Sequence, residues 1–152
     1  MTRTYLSLIC LLLPLFLWGQ EDIYIGKKYT IFSDTLQENR EYWVHLPDEY
    51  AQNTEQTYQV IYLLDGQSLF HSLVGISKTL SSGRGKHLPP SIIVGIVSTD
   101  RARDFTPTAS SAGRDGRIAP DTQAQGGGSE VFNHFLTQEL RTIINDNYRT
   151  NG

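Results

Sequence analysis

The chain has 152 residues, 39% of them apolar and 11% aromatic, the composition of a packed globular fold rather than a disordered segment. A formal net charge of −3 provides no basic surface for a phosphate backbone, so nucleic acid is not an expected partner. The one cysteine, Cys10, lies in the amino-terminal segment, so the remainder must hold together through its core without a disulfide.

That segment carries Arg3, an apolar run from Leu6 to Trp18 and then Gly19-Gln20, the layout of a secretory signal. The run is shorter than the ~20 residues of a spanning helix and Pro14 interrupts it. The expectation is a signal peptide over 1–19, removed to leave one domain over 20–152 with no stable membrane span, in a secreted or periplasmic location.

Apolar and polar residues alternate from Tyr24 to Phe32 and from Arg40 to Leu46, with turn material at Ser33-Asp34-Thr35 and Glu38-Asn39 between them. The period of two predicts an antiparallel hairpin at a sheet edge. Val60 to Leu64 and Ile92 to Val97 are instead continuous apolar runs, the pattern of strands covered on both faces and hence of a parallel pair. Leu69, Phe70, Leu73, Val74, Ile76 and Leu80 recur at helical spacing between them, and Ser81 to Gly85 supplies the stop. Asp100 to Gly128 reads as a long irregular loop. Ser129 then caps a helix whose stripe is Val131, Phe132, Phe135, Leu136, Leu140, Ile143 and Ile144, and Asn145 to Gly152 ends it. An antiparallel start feeding a parallel sheet predicts an α/β fold, and the absence of G-x-G-x-x-G argues against a dinucleotide-binding domain.

Chemistry-bearing residues are sparse. No G-x-S-x-G elbow occurs: Gly75-Ile-Ser77-Lys-Thr79 has Thr where the second glycine is required, and Ser110, Ser111 and Ser129 lack the strand and glycine frame of a nucleophile. His45, His71, His87 and His134 are scattered, with no metal-ligand spacing, and the Glu130/His134 pair at four residues reads as a helix-surface pair. Tyr42, Trp43, Tyr62 and Phe70 read as core. Asp65-Gly66 closes the Val60–Leu64 strand, either as a plain turn or as a loop presenting a backbone donor. Arg101, Arg103 and Asp104 crowd the end of the next strand, either as contacts to an anionic or acyl group or as an ion pair that ties down the loop.

Four blocks in one order, Arg40-Glu-Tyr-Trp-Val-His-Leu-Pro47 with Tyr50, Tyr58 to Gly66, Ile93-Val94-Gly95-Ile96 with Arg101-Ala-Arg103-Asp104-Phe105-Thr106-Pro107, and Phe132 to Tyr148, resemble a known family. It is the group of secreted esterases that includes esterase D, enterochelin, feruloyl and acetylxylan esterases and mycolyltransferases. The resemblance implies the amino-terminal half of an α/β-hydrolase fold, an antiparallel hairpin leading into a parallel sheet with flanking helices, stopping short of the nucleophile elbow. It implies a serine esterase whose Ser, Asp or Glu, and His lie beyond Gly152, with no cofactor and no metal. By the same resemblance the backbone N–H of Gln67 is an oxyanion-hole donor, a role independent of its side chain, with Gly66 allowing the turn and Asp65 fixing the loop; Asp65 and Gly66, with Arg103 and Asp104 from their place at the strand end, are the expected substrate-binding residues. That substrate would be a small-molecule or saccharide-linked ester. The alternative is a secreted binding or pseudoenzyme module that keeps the sheet without the chemistry; oligomeric state is not legible.

Overall fold

The computed structural model describes residues 22–83, 86–112, 117, 118, 120 and 124–152; the expected signal peptide lies outside them. Strands β1 (Lys27–Ser33) and β2 (Glu38–His45) form the expected antiparallel hairpin, in register from Lys27 opposite Val44 to Ser33 opposite Glu38. The turn is shorter than expected, since Glu38 and Asn39 belong to β2. Gln37 takes the left-handed conformation (φ 54°) and donates its amide to Ser33 O at 2.8 Å, which reverses the chain one residue earlier.

Strand β3 (Gln59–Leu63), helix α1 (Gly66–Ser81) and strand β4 (Ser91–Ile96) form the expected strand-helix-strand unit, with β3 and β4 parallel. The sheet order is β1-β2-β4-β3, and β2 runs antiparallel to β4. Only β4 is buried along its whole length. The apolar run of β3 predicts equal cover, yet its residues are half-buried or exposed, because β3 is the last strand of the sheet. On its free edge, Tyr58 N donates to Arg149 O (2.9 Å) and Asn151 N donates to Tyr58 O (3.1 Å), so the backbone around Thr150 runs parallel beside the start of β3.

The sheet faces divide the core as the period of two requires. Tyr42, Val44, Ile92, Val94 and Ile96 face one side, where Phe132, Phe135, Leu140 and Ile144 cover them; Trp43 and Ile93 face the other, against Phe70 and Val74 of α1. The buried stripe of α1 is narrower than its apolar spacing suggests, since Leu69 and Ile76 are exposed. The expected loop over 100–128 is partly ordered: α2 (Arg101–Phe105) is capped by the Asp100 carboxylate accepting from Arg103 N, and β5 (Ala109–Ser110) pairs with β6 (Gln125–Gly126). Elements this short carry too few positions to show a period.

The last helical rod runs through α3 (Ser129–His134), a π-helical turn over Phe135–Leu140 and α4 (Arg141–Asn147). Its cap position is Gly128 rather than Ser129, which is the first helical residue. The π turn has a reason in the sequence. Phe132 and Phe135 are buried, but a regular helix would next turn Glu139 inward; one extra residue in the turn brings Leu140 and Ile144 onto the core face instead. Glu139 is then free to accept from Thr35 N (2.7 Å), clamping the β1–β2 turn.

The tightest constraint lies at the β3–α1 junction. A Cβ on Gly66 would sit 2.7 Å from Gly95 C and 3.0 Å from both Gly95 Cα and Ile96 N, backbone atoms that cannot give way. Gly66→Ala is therefore expected to lower stability in denaturant unfolding by about 2 kcal/mol or more. Gly75→Ala, in the same helix but with nothing within 4 Å of the added carbon, should be neutral or stabilising by about 0.5–1 kcal/mol.

Candidate active-site rim

The parallel strands β3 and β4 end on the same rim of the sheet, and the chain leaves that rim at Leu64-Asp65 and at Val97-Ser98. Asp65 adopts the left-handed conformation (φ 56°, ψ 40°), which Asp tolerates better than most residues and which swings the chain from strand into helix within one residue. Its carbonyl accepts from Ser68 N (2.9 Å) and Leu69 N (3.1 Å), opening α1. The amide of Gln67 precedes these donors. Among the described residues, none accepts a hydrogen bond from it, as expected for the first turn of a helix, where the backbone dipole also favours negative charge.

Side chains fix this turn to β4. Asp65 Oδ1 accepts from Ser98 Oγ (2.7 Å) and Arg101 Nε (2.9 Å), while Gln67 Oε1 accepts from Ser98 N (3.1 Å). The Ser98 hydroxyl is the main influence holding the Asp65 carboxyl below its usual range; burial opposes it, and the Arg101 guanidinium adds to the lowering. Arg101 is otherwise largely exposed, its guanidinium 5.3 Å from the Phe105 ring centroid. It borders an open groove of about 560 Å³, lined also by Thr106, Thr108, Ser110 and Gln125. A second cavity of about 290 Å³, lined by Tyr29, His45, Tyr50 and Tyr148, lies at the opposite rim of the sheet, where β4 begins.

Arg103 and Asp104 sit differently from Asp65 and Gly66. Asp104 is 1% exposed, and its two oxygens accept from Arg40 Nη1 (2.9 Å) and Arg103 Nε (2.8 Å). Arg103 Nη1 and Nη2 hold Glu38 in a two-pronged pair (3.1 and 2.6 Å), and Arg40 Nη1 also donates to Glu38 (2.7 Å) and to Thr99 Oγ1. Two guanidiniums and two carboxylates thus neutralise one another in a square. Arg40 is 1% exposed, lies 5.2 and 5.7 Å from the rings of Phe132 and Phe135, and leaves its buried Nε without an acceptor. The geometry of Arg103 and Asp104 is that of an ion pair tying down the loop: every Arg103 guanidinium nitrogen has a carboxylate partner, and Asp104 is shut off from solvent. Arg103 also positions the last helix, because its carbonyl accepts from Gly128 N (2.9 Å) and its Cγ would lie only 2.7 Å from a Cβ on residue 128.

The histidines take no part in either cluster. His45 is buried, its Nδ1 donating to Ile25 O (2.7 Å), and burial depresses its pKa; His134 meets Thr35 Oγ1 at 3.1 Å. Among the described residues no group of three or more His, Cys, Asp and Glu is arranged to hold a metal, and no helix is long and apolar enough to cross a membrane.

Residues 33–152 match the model of the family described as "Putative esterase". The chain belongs to that family, and its fold is the amino-terminal part of an α/β-hydrolase. It is 33% identical over 124 residues to the ferri-bacillibactin esterase BesA of Bacillus subtilis (strain 168), a match taking in 74% of this chain and 42% of that protein. The crystal structure of an IroE-like serine hydrolase from Shewanella oneidensis superposes with a TM-score of 0.76 at 38% identity, over 84% of this chain and 40% of that one. The siderophore hydrolase EstA of Aspergillus nidulans shares the fold at a TM-score of 0.68 and 18% identity, over 88% and 50% of the two chains. The chain therefore spans half or less of the length of these relatives.

The charge square predicts a mutational asymmetry. Arg40→Met, which strands Asp104 and removes one partner of Glu38, should cost about 3 kcal/mol or more in denaturant unfolding, and Arg40→Met combined with Asp104→Leu should recover part of that loss. Acid acts through Glu38, whose carboxyl is held at about 2 instead of 4.5, first by its hydrogen bond to Arg103. A depressed folded pKa makes this stabilisation complete above about pH 4.5 and lost as pH falls towards 2, so Glu38→Gln should flatten the dependence of Tm on pH across that window.

Proposed function

We propose that the protein carrying this chain hydrolyses a small-molecule carboxylic ester by serine catalysis, with the Gln67 amide as one of two oxyanion donors. The nucleophile, acid and general base come from residues outside this sequence. The observation that carries the reading is the Gln67 amide, without an acceptor among the described residues, at the start of a 16-residue helix on the rim where the parallel strands β3 and β4 end. Ester hydrolysis passes through a tetrahedral oxyanion, and a fixed amide aimed at it is worth roughly 3–4 kcal/mol of barrier, because the donor needs no reorganisation as the charge develops. The second donor belongs to the residue after the nucleophile in such folds. The nucleophile's strand would continue the parallel pairing that Thr150 begins beside Tyr58.

Substrate contacts in this reading fall to Arg101 and Phe105 at the open groove rather than to Arg103 and Asp104, which are occupied by each other, Glu38 and Arg40. A cation resting on an aromatic face suits an anionic or aromatic portion of the ester. The relatives named as a ferri-bacillibactin esterase and a siderophore hydrolase favour a siderophore ester within that class. No cofactor is required for this chemistry. An exported location follows from the amino-terminal layout of Arg3 and the Leu6–Trp18 run.

The test is hydrolysis of 4-nitrophenyl acetate by the complete gene product. Turnover that a serine-directed phosphonate abolishes, with the label on a Ser in a G-x-S-x-G frame after Gly152, is the expected result. A gene product without such a serine and without turnover would sink the reading and favour a non-catalytic binding module.

A further inference from the structure

The amide of Gln67 is useful only if it is aimed, and the residues that aim it are set apart from the rest of the rim. Ser98 holds both neighbours of the donor peptide at once. Its hydroxyl donates to Asp65 Oδ1 (2.7 Å), and its own amide donates to the side chain of Gln67 (3.1 Å). Between these two tethers Gly66 lies flush against Gly95, so the peptide linking Gly66 to Gln67 is held on both sides and from beneath. Asp65 needs such a tether, because its left-handed backbone (φ 56°) is stable only where the surroundings over-determine it. The Gln67 side chain, immaterial to a main-chain donor in principle, is one of the two tethers.

We propose that Ser98 and the side chain of Gln67 are positioning residues that orient the Gln67 amide toward the developing oxyanion; this rests on the esterase reading above. Neither side chain touches the reacting atoms. Each acts through backbone geometry, so its loss should misdirect the donor without weakening the binding of substrate.

In the complete gene product assayed with 4-nitrophenyl acetate, Ser98→Ala and Gln67→Leu should each lower kcat about tenfold while KM changes less than about twofold. Ser98→Thr, which keeps the hydroxyl, should recover most of the loss. Gln67→Pro, read against Gln67→Leu, tests the donor itself: proline is tolerated in the first turn of a helix, both variants lose the side-chain tether, and the proline alone also loses the N–H, so its kcat should fall on the order of a hundredfold or more. If Gln67→Pro produces that fall while Ser98→Ala and Gln67→Leu stay within about twofold of the parent, the positioning role is refuted and the oxyanion role stands. If Gln67→Pro keeps the parental kcat, the oxyanion role fails and the positioning role with it. A readout that needs no turnover is amide hydrogen exchange: Ser98→Ala should speed exchange over 64–69 while the β4 amides stay protected, and unchanged exchange over 64–69 would overturn the proposal whatever the activity does.

Discussion

The close approach of Gly66 to Gly95 is the contact on which the rest of this rim depends. Two backbones meet with no side chain between them, and a Cβ on Gly66 would come within 2.7 Å of Gly95 C. Because the helix begins that close to β4, Phe70, one turn on, packs against Gly95 and joins Trp43, Val74 and Ile93 in the core of that face. The same proximity lets Ser98, three residues past Gly95, reach both Asp65 and Gln67. A wider junction would lose the helix packing and the tethers together. The site geometry is thus a consequence of core packing, not an addition to it.

The second constraint is electrostatic. Arg40 and Asp104 are both 1% exposed, and burying charges is expensive unless each finds its partner. Here the square with Glu38 and Arg103 neutralises them, and its value lies in what it fastens: the first residue of β2, the segment after β4, and α2. Through Arg103 O and Gly128 the same square sets where the last helical rod begins, and that rod supplies Phe132, Phe135, Leu140 and Ile144 to the larger core. An apolar replacement could fill the space, but it would not choose among the ways a loop of this length can return to the sheet. Charges with fixed partners do.

Where residue pattern and structure agree, the reason is periodicity over many positions. The alternating hairpin, the two continuous strands and the two long helical stretches each present enough residues for a period to show, and together they give the order of the main elements along the chain, though not the place of β3 at the edge of the sheet. Where they diverge, a single local interaction decides. Gln37 shortens the first turn, the π turn rescues Leu140 from a stripe that would otherwise bury Glu139, and α2 is too brief to have a period. At the site, Gln67 enters only through the family resemblance, whereas the Asp65-Gly66 turn is legible because a strand closing on Asp-Gly is a local event. Ser98, Glu38 and Arg40 are not, since their partners lie 31 to 65 residues away and Arg40 stands on a strand whose alternation gives no sign that a charge points inward. The one available signal was the crowding of Arg101, Arg103 and Asp104, which marks an ion network as readily as it marks a substrate contact.

The two clusters also differ in kind. The square of Glu38, Arg40, Arg103 and Asp104 balances two positive charges with two negative ones. The Asp65–Gln67 turn places a non-glycine residue in left-handed backbone, ties Asp65 with two side-chain hydrogen bonds and Gln67 with a third, and ends on an amide with no acceptor among the described residues. A left-handed non-glycine residue costs on the order of 1 kcal/mol or more and persists where neighbouring contacts hold it, at Gln37 in the first hairpin turn as well as here at Asp65. In the proposed oxyanion role the tethers at Asp65 and Gln67 matter, because a donor contributes to catalysis only to the extent that it is already in place when the charge appears.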